Sequence, residues 1–262
     1  MDDPRLIPRA SEVTKGTPAQ ICVPLVDLQR TPMGPRDRQC LMGDDIMVLG
    51  QQAGFSYVQR DTDGYVGYVS SNALGPRKPI THRVIARATH LYSAPDIKSA
   101  ERNTLSFGAG LSALNETDAF IETAFGFVPK KALAPEPAAL ADITATARLF
   151  LNAPYLWGGN SATGIDCSGL VQASLQAAGR TCPGDSDQQA VQIGEVCAPG
   201  TPYQENDLLF WEGHVALVTG TQSLIHANAH HMAVVEEAIA TAMDRIAQNV
   251  GPVTAHRRLA GR

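Results

Sequence analysis

No stretch of the 262 residues concentrates lysine or arginine, and the 21 basic residues are outnumbered by 26 acidic ones. A chain with net charge −5 and no basic stripe lacks the face that grips a phosphate backbone, so nucleic acid is not an expected partner. No apolar run approaches the roughly 18 residues that a membrane-spanning helix requires, and no membrane span is expected. The opening MDDPRLIPRASEV is acidic, broken by proline and without the apolar core of an export signal, so the expected location is cytoplasmic. Cysteine is scarce and odd in number. Cys22, Cys40, Cys167, Cys182 and Cys197 form no tight framework and read as reduced thiols. Neither CxxC nor HExxH occurs. His230 and His231 offer zinc-type donors to join Cys167 or His226, but without a ligand motif no metal and no cofactor is expected.

What is present is an ordinary globular composition, 44% hydrophobic and 18% charged, in a chain long enough for two or three cores. Two segments of the first half echo each other at an offset of 59 residues: GYVSSNAL (67–74) and GFVPKKAL (126–133). A looser pair, VDLQRTP (26–32) and THLYSAP (89–95), lies upstream. A duplicated unit of about 60 residues accounts for both pairs. Within each copy the runs are short and strand-like. FSYVQRDTDGYVGYV carries Asp63-Gly64 between two such runs, a hairpin signal, and AFIETAFGFV is built the same way. Short strands with regular turns point to small barrels. Tyr65 and Tyr68 fall along one of these strands, and at least one is expected to be packing.

The proline-rich APEPAALAD (134–142) reads as a linker, giving expected boundaries at 1–79, 80–135 and 136–262. A helix is expected through ALADITATARLFLNA, with Ile143, Ala147, Leu149 and Phe150 near one face and an end before Pro154. A second helix is expected from about Cys167, with Leu170, Val171, Ser174, Leu175 and Ala178 at helical spacing and Gly179 at its close. DLLFW, HVALV, LIHA and MAVVE follow as strands. Helices first and an antiparallel sheet afterwards define an α+β domain.

Cys167 therefore stands at the first turn of a helix, where unsatisfied N–H groups and the helix dipole favour a negative charge. That placement promotes the thiolate, and Asp166 before it is a natural cap. A thiol nucleophile also needs a base. His214 opens the HVALV strand just after the Glu212-Gly213 turn, and His226 lies 12 residues further on. The spacing allows adjacent antiparallel strands with both rings at one end, His226 orienting His214. The bland alternative is a buried core thiol, common for free cysteine. Cys22, Cys40, Cys182 and Cys197 have no paired histidine motif and read as structural, while Trp157 reads as packing for the loop beneath the cysteine.

The blocks PYLWGGNSATGIDCSGLVQ, DLLFWEGHVALV and LIHANAHHMAVV, spanning about 154–236, resemble the NlpC family of cell-wall cysteine peptidases, a branch of the papain-like fold. The glycine-aromatic-hydrophobic close of each N-terminal copy resembles bacterial SH3-like domains, which accompany such hydrolases. The resemblance implies two small all-β SH3-like barrels followed by an α+β papain-like cysteine peptidase domain. It makes Cys167 the nucleophile, His214 the base and His226 the third polar residue. It adds Tyr155, whose hydroxyl assists the backbone N–H of Cys167 in holding the oxyanion. Members with this domain order are γ-D-glutamyl-L-diamino acid endopeptidases, and some require a free N-terminal L-alanine. By that likeness Asp166 binds the substrate amine, Ser168 and Ser186 line the subsite, and Asp37 and Tyr65 of the first SH3-like copy close it. The expected partner is the stem peptide L-Ala-γ-D-Glu-diamino acid, met during murein peptide recycling. The alternatives are a secreted hydrolase that remodels intact peptidoglycan and a non-catalytic module that binds cell-wall peptides.

Overall fold

The computed structural model describes residues 3–137 and 142–259, so residues 138–141 of the expected linker and of the expected first helix lie outside the described residues. The chain forms two compact units, 1–138 with 160–162 and 139–159 with 163–262. The first is almost entirely sheet. Seven antiparallel strands are ordered Arg36–Leu41, Leu25–Gln29, Val66–Ser70, Phe55–Arg60, Asp45–Gln52, Thr17–Ile21 and Leu74–Gly75. Phe55–Arg60 and Val66–Ser70 pair directly, with Gly64 at φ +74° in the turn between them. Their interior holds Ile21, Leu28, Ile46, Val58 and Tyr65. Tyr68, an odd number of residues from Tyr65, joins Tyr57 in a separate cluster, as strand alternation requires. Both tyrosines are buried.

Residues 82–135 form a five-stranded and a three-stranded sheet around Val84, Leu91, Leu105, Ile121 and Val128. The echo at 59 residues is reproduced in the backbone. Val66–Ser70 is followed by a 3-10 turn at Ser71–Ala73 and the short strand Leu74–Gly75. Gly126–Pro129 is followed likewise by Lys130–Ala132 and Leu133–Pro135. Each closing strand pairs with the opening strand of its own copy, Thr17–Ile21 in one and His82–Val84 in the other.

The second unit begins with α1 (Ile143–Arg148), capped by Asp142 accepting from Ala145 N. This helix is shorter than expected, and one part of its expected buried face is wrong. Leu149 is exposed, while Thr144 and Thr146 are buried. The hydroxyls explain the exchange: Thr146 donates to Asp142 O at 2.9 Å and Thr144 donates to Glu205 Oε1 at 2.7 Å, so neither is buried unpaired. Next come α2 (Cys167–Ala177) and α3 (Ser186–Gln192), the former capped at Ala178 and followed by Gly179, whose φ of +72° suits the residue past a helix end. Leu170, Val171, Ser174 and Leu175 of α2 are buried at the helical spacing of the sequence. Burying each large apolar side chain contributes roughly 2 kcal/mol.

A six-stranded antiparallel sheet follows in the order Glu195–Val196, Ala255–Arg258, Leu208–Trp211, His214–Val218, Ser223–Asn228 and Ala233–Ala238. Leu209, Trp211, Ala216, Val218 and Leu224 meet Ile239, Ala242 and Ile246 of α4 (Ile239–Asn249). The last strand is pinned by buried Asp207, which accepts from His256 Nε2 at 2.7 Å and from Arg258 Nε at 2.8 Å. His256 is thus spoken for structurally. None of the five cysteines is in a disulfide. Among the described residues, no helix is long and apolar enough to cross a membrane.

Candidate active site

Cys167 is the first residue of α2 and is buried, with 7% of its surface exposed. Asp166 precedes it in extended conformation and organises the turn. Its Oδ1 accepts from Gly169 N at 2.6 Å and from Ser168 Oγ at 3.1 Å, and its Oδ2 accepts from Gly158 N at 2.9 Å. One carboxylate thereby caps the helix and ties the preceding glycine loop to it. Gly158 has φ +69°, a conformation that favours glycine, and this is what turns its N–H toward Asp166.

Tyr155 is set by backbone bonds on both sides. Its N–H donates to Met232 O at 3.0 Å, and a parallel bridge joins it to Ile165. Burial, followed by the neighbouring Cys167 and Asp166, raises the phenol above its ordinary range, so it stays a neutral donor. Trp157, expected as packing beneath this loop, is instead 68% exposed. Ser186 is the half-buried first residue of α3. From the same helix Gln189 Nε2 donates to Ser168 O at 3.0 Å, linking α3 to the start of α2.

The helix that Cys167 opens packs against the strand that His214 opens. His214 is delivered by a two-residue turn in which Gly213 has φ +68°. The adjacent strand carries His226. Leu217 pairs with Ile225 and Val218 with Leu224, and carrying that register on sets His226 diagonally from His214 on the same face. Their rings meet, His214 Nε2 lying 2.8 Å from His226 Nδ1. His226 is fully buried and reaches on with Nε2 to Glu237 Oε1 at 2.7 Å. Arg245 of α4 donates to the same oxygen of Glu237. Burial first, then the neighbouring His226 ring and the positive Arg245, hold His214 well below the usual imidazole range against the pull of Glu237. Burial also lowers His226, while the hydrogen bond from His226 lowers the Glu237 carboxyl. The rest state is therefore two neutral rings on an ionised carboxylate.

Glu237 and Arg245 escaped sequence reasoning. Strand alternation carried a weak signal for Glu237, since Glu236 and Glu237 must point to opposite faces, but not for which one meets His226. Glu236 goes to Arg148 and Thr219. Asp37 and Tyr65, the candidates in the first unit, lie beside Arg30, which donates to Asp37 Oδ1 at 2.6 Å and feels the phenol of Tyr65 electrostatically. His230 and His231 sit against each other, and His231 donates its backbone N–H to Asn228 Oδ1. Among the described residues, no three His, Cys, Asp or Glu side chains are placed to hold a metal ion.

An acid-capped cysteine at a helix start, facing a sheet that carries an oriented imidazole, is the arrangement of a thiol hydrolase. Residues 152–247 match the NlpC/P60 family, and residues 28–74 match the bacterial dipeptidyl-peptidase Sh3 domain. Over 218 residues the chain is 31% identical to the gamma-D-glutamyl-L-lysine dipeptidyl-peptidase of Bacillus subtilis strain 168, covering 72% of this chain and 71% of that one. A shorter match, 36% over 101 residues, links it to the protein of the same name in Bacillus cereus, with 36% of this chain and 29% of that one covered. The crystal structure of an NlpC/P60 family protein from Bacillus cereus superposes with a TM-score of 0.78 at 20% identity, covering 94% of this chain and 100% of that chain. The chain belongs to the NlpC/P60 family, peptidases of the cysteine type, and carries a bacterial SH3 domain ahead of the peptidase domain.

Proposed function

We propose that this protein is a γ-D-glutamyl-L-diamino acid endopeptidase acting on peptidoglycan stem peptides that begin with a free L-alanine. The observation that carries the reading is Cys167 at the Asp166-capped start of α2, packed on the strand whose first residue, His214, is bonded to His226. The Bacillus subtilis relative, named a gamma-D-glutamyl-L-lysine dipeptidyl-peptidase, supports the bond and the substrate class. Residues 82–135 we read as a second SH3-like copy, and the peptidase domain as papain-like.

In this reading the Cys167 thiol gives its proton to His214 as its sulfur attacks the carbonyl carbon of the D-glutamyl γ-linkage. A neutral His214 acts as a general base at the moment of attack, not as half of a standing ion pair. The oxyanion is held by the Cys167 backbone N–H and the Tyr155 hydroxyl, the latter kept protonated by its surroundings. His214 then protonates the leaving amine of the diamino acid, and water, deprotonated by His214, hydrolyses the thioester. Asp166 uses three of about four acceptor positions internally, leaving one for the substrate ammonium. Ser168 and Ser186 complete the subsite. A site that demands a free amine suits peptides already released from glycan, and we read the enzyme as acting in cytoplasmic murein peptide recycling.

The test is mass spectrometry of products from tri- and tetrapeptide stems with and without N-terminal muramic acid. Release of L-Ala-γ-D-Glu from free stems alone is the expected result. Equal cleavage of muramate-linked stems turns the reading toward wall remodelling, and no cleavage of either sinks it.

A further inference from the structure

We infer that Glu237, held by Arg245, is a positioning residue that acts through His226 to fix which nitrogen of His214 is the base, leaving His214 Nδ1 bare toward the thiol. The inference rests on the cysteine peptidase reading and adds to it a carboxylate two hydrogen bonds removed from the reacting imidazole.

The protons run along three neighbouring strands. Glu237 lies opposite Leu224 and His226 opposite Val235, so the carboxylate sits diagonally from His226 just as His226 sits diagonally from His214. An ionised carboxylate only accepts, so the 2.7 Å contact requires His226 Nε2 to carry hydrogen. A neutral ring protonated at Nε2 has a bare Nδ1. That bare nitrogen faces His214 Nε2 at 2.8 Å, and two lone pairs do not meet at that distance in a buried site. His214 Nε2 therefore donates, and its Nδ1 is the basic nitrogen. Moving the His226 proton to Nδ1 breaks both ring contacts and moving that of His214 breaks the contact between the rings, and His226 is fully buried, closed to bulk solvent.

The same line carries charge. When His214 accepts the thiol proton it becomes a cation, and Glu237 is the carboxylate aligned with it through His226. Arg245 works against that cation while keeping Glu237 in place. The charged and titratable groups acting on the two rings are Glu237, Arg245 and His231, and the helix α2 that Cys167 opens packs against the strand that His214 opens. Glu237 and Arg245 thus push the basicity of His214 in opposite directions.

That opposition supplies a test a merely structural ion pair would not pass. Glu237→Gln keeps an acceptor for His226 Nε2 but removes the charge. The acidic limb of kcat/KM should move down by ~0.5 pH unit and the plateau should fall about tenfold, with KM little changed. Arg245→Gln should move the limb the other way. If the two limbs stay put or shift together, the inference falls. Nitrogen-15 NMR of the resting wild-type chain decides the tautomers without substrate. His214 and His226 should both be protonated at Nε2 and bare at Nδ1, and Glu237→Ala should restore an Nδ1-protonated population at His226. A wild-type His214 protonated at Nδ1 overturns the inference whether or not the enzyme turns over. Full turnover in Cys167→Ala would overturn the peptidase reading instead, leaving the NMR result to stand on its own.

Discussion

Asp166→Asn separates the two tasks assigned to one carboxylate. In the native chain Oδ1 receives Gly169 N–H at 2.6 Å and Ser168 Oγ at 3.1 Å, and Oδ2 receives Gly158 N–H at 2.9 Å. Asparagine offers one oxygen and one NH2 group. Whichever way the amide turns, the NH2 faces a donor, so at least one N–H or hydroxyl loses its acceptor in a side chain only 7% exposed. A lost charge-assisted bond in a buried site costs about 1.5–3 kcal/mol. Urea denaturation should therefore show a loss of about 2 kcal/mol with an unchanged slope. The functional half is read from a ratio. If Asp166 also receives the substrate ammonium, the wild type should prefer free L-Ala-γ-D-Glu-diamino acid peptides over their N-acetylated forms by at least ~100-fold in kcat/KM, equivalent to ~2.7 kcal/mol. Asp166→Asn should collapse that ratio, whereas loss of the cap alone would lower both substrates in parallel. An unchanged urea midpoint refutes the capping argument, and an unchanged ratio refutes the ammonium site.

Cys167→Ala should abolish turnover, while a chelator should leave kcat/KM unchanged; zinc-restorable loss on chelation would overturn thiol catalysis. His226→Gln should retain more activity than His226→Ala, because the amide can still accept from His214 Nε2, and equal loss in both would deny an orienting role. His214 and His226 are held below the ordinary 6.5 in the folded chain, so below about pH 6.5 the unfolded state binds protons that the native state declines. Stability should fall as the pH drops from there, by up to ~1.4 kcal/mol per pH unit for each histidine, and a flat urea midpoint between pH 7.5 and 5 contradicts the neutral pair. Gly213→Ala should cost about 1 kcal/mol through backbone strain alone, since φ is +68° and no atom lies within 4 Å of the added Cβ. The effect on kcat should exceed that on KM if the turn's task is to aim His214.

Local chemistry made much of this protein readable in one dimension. An aspartate before a cysteine and an apolar 3.6-residue period mark a capped helix start, because only the first turn has free N–H groups to satisfy. Glu212-Gly213 between two strand-like runs, with His214 and His226 12 residues apart, allows both rings at one end of adjacent strands, and the register of those strands sets them on one face. The duplicated GYVSSNAL and GFVPKKAL blocks announce the same strand, 3-10 turn and strand. Tertiary structure decided what depends on burial and register. Leu149 and Trp157 carry apolar side chains yet are exposed, since which side of a short turn faces the core is set by the packing around it. Asp37 reads as an available anion in sequence, but Arg30, seven residues earlier, pairs with it once the intervening turn folds. Glu236 and Glu237 are chemically identical neighbours. Only the pairing of Ala233–Ala238 with Ser223–Asn228 sends Glu236 to Arg148 and Glu237 to His226, because a shift of one residue in strand register exchanges the two faces.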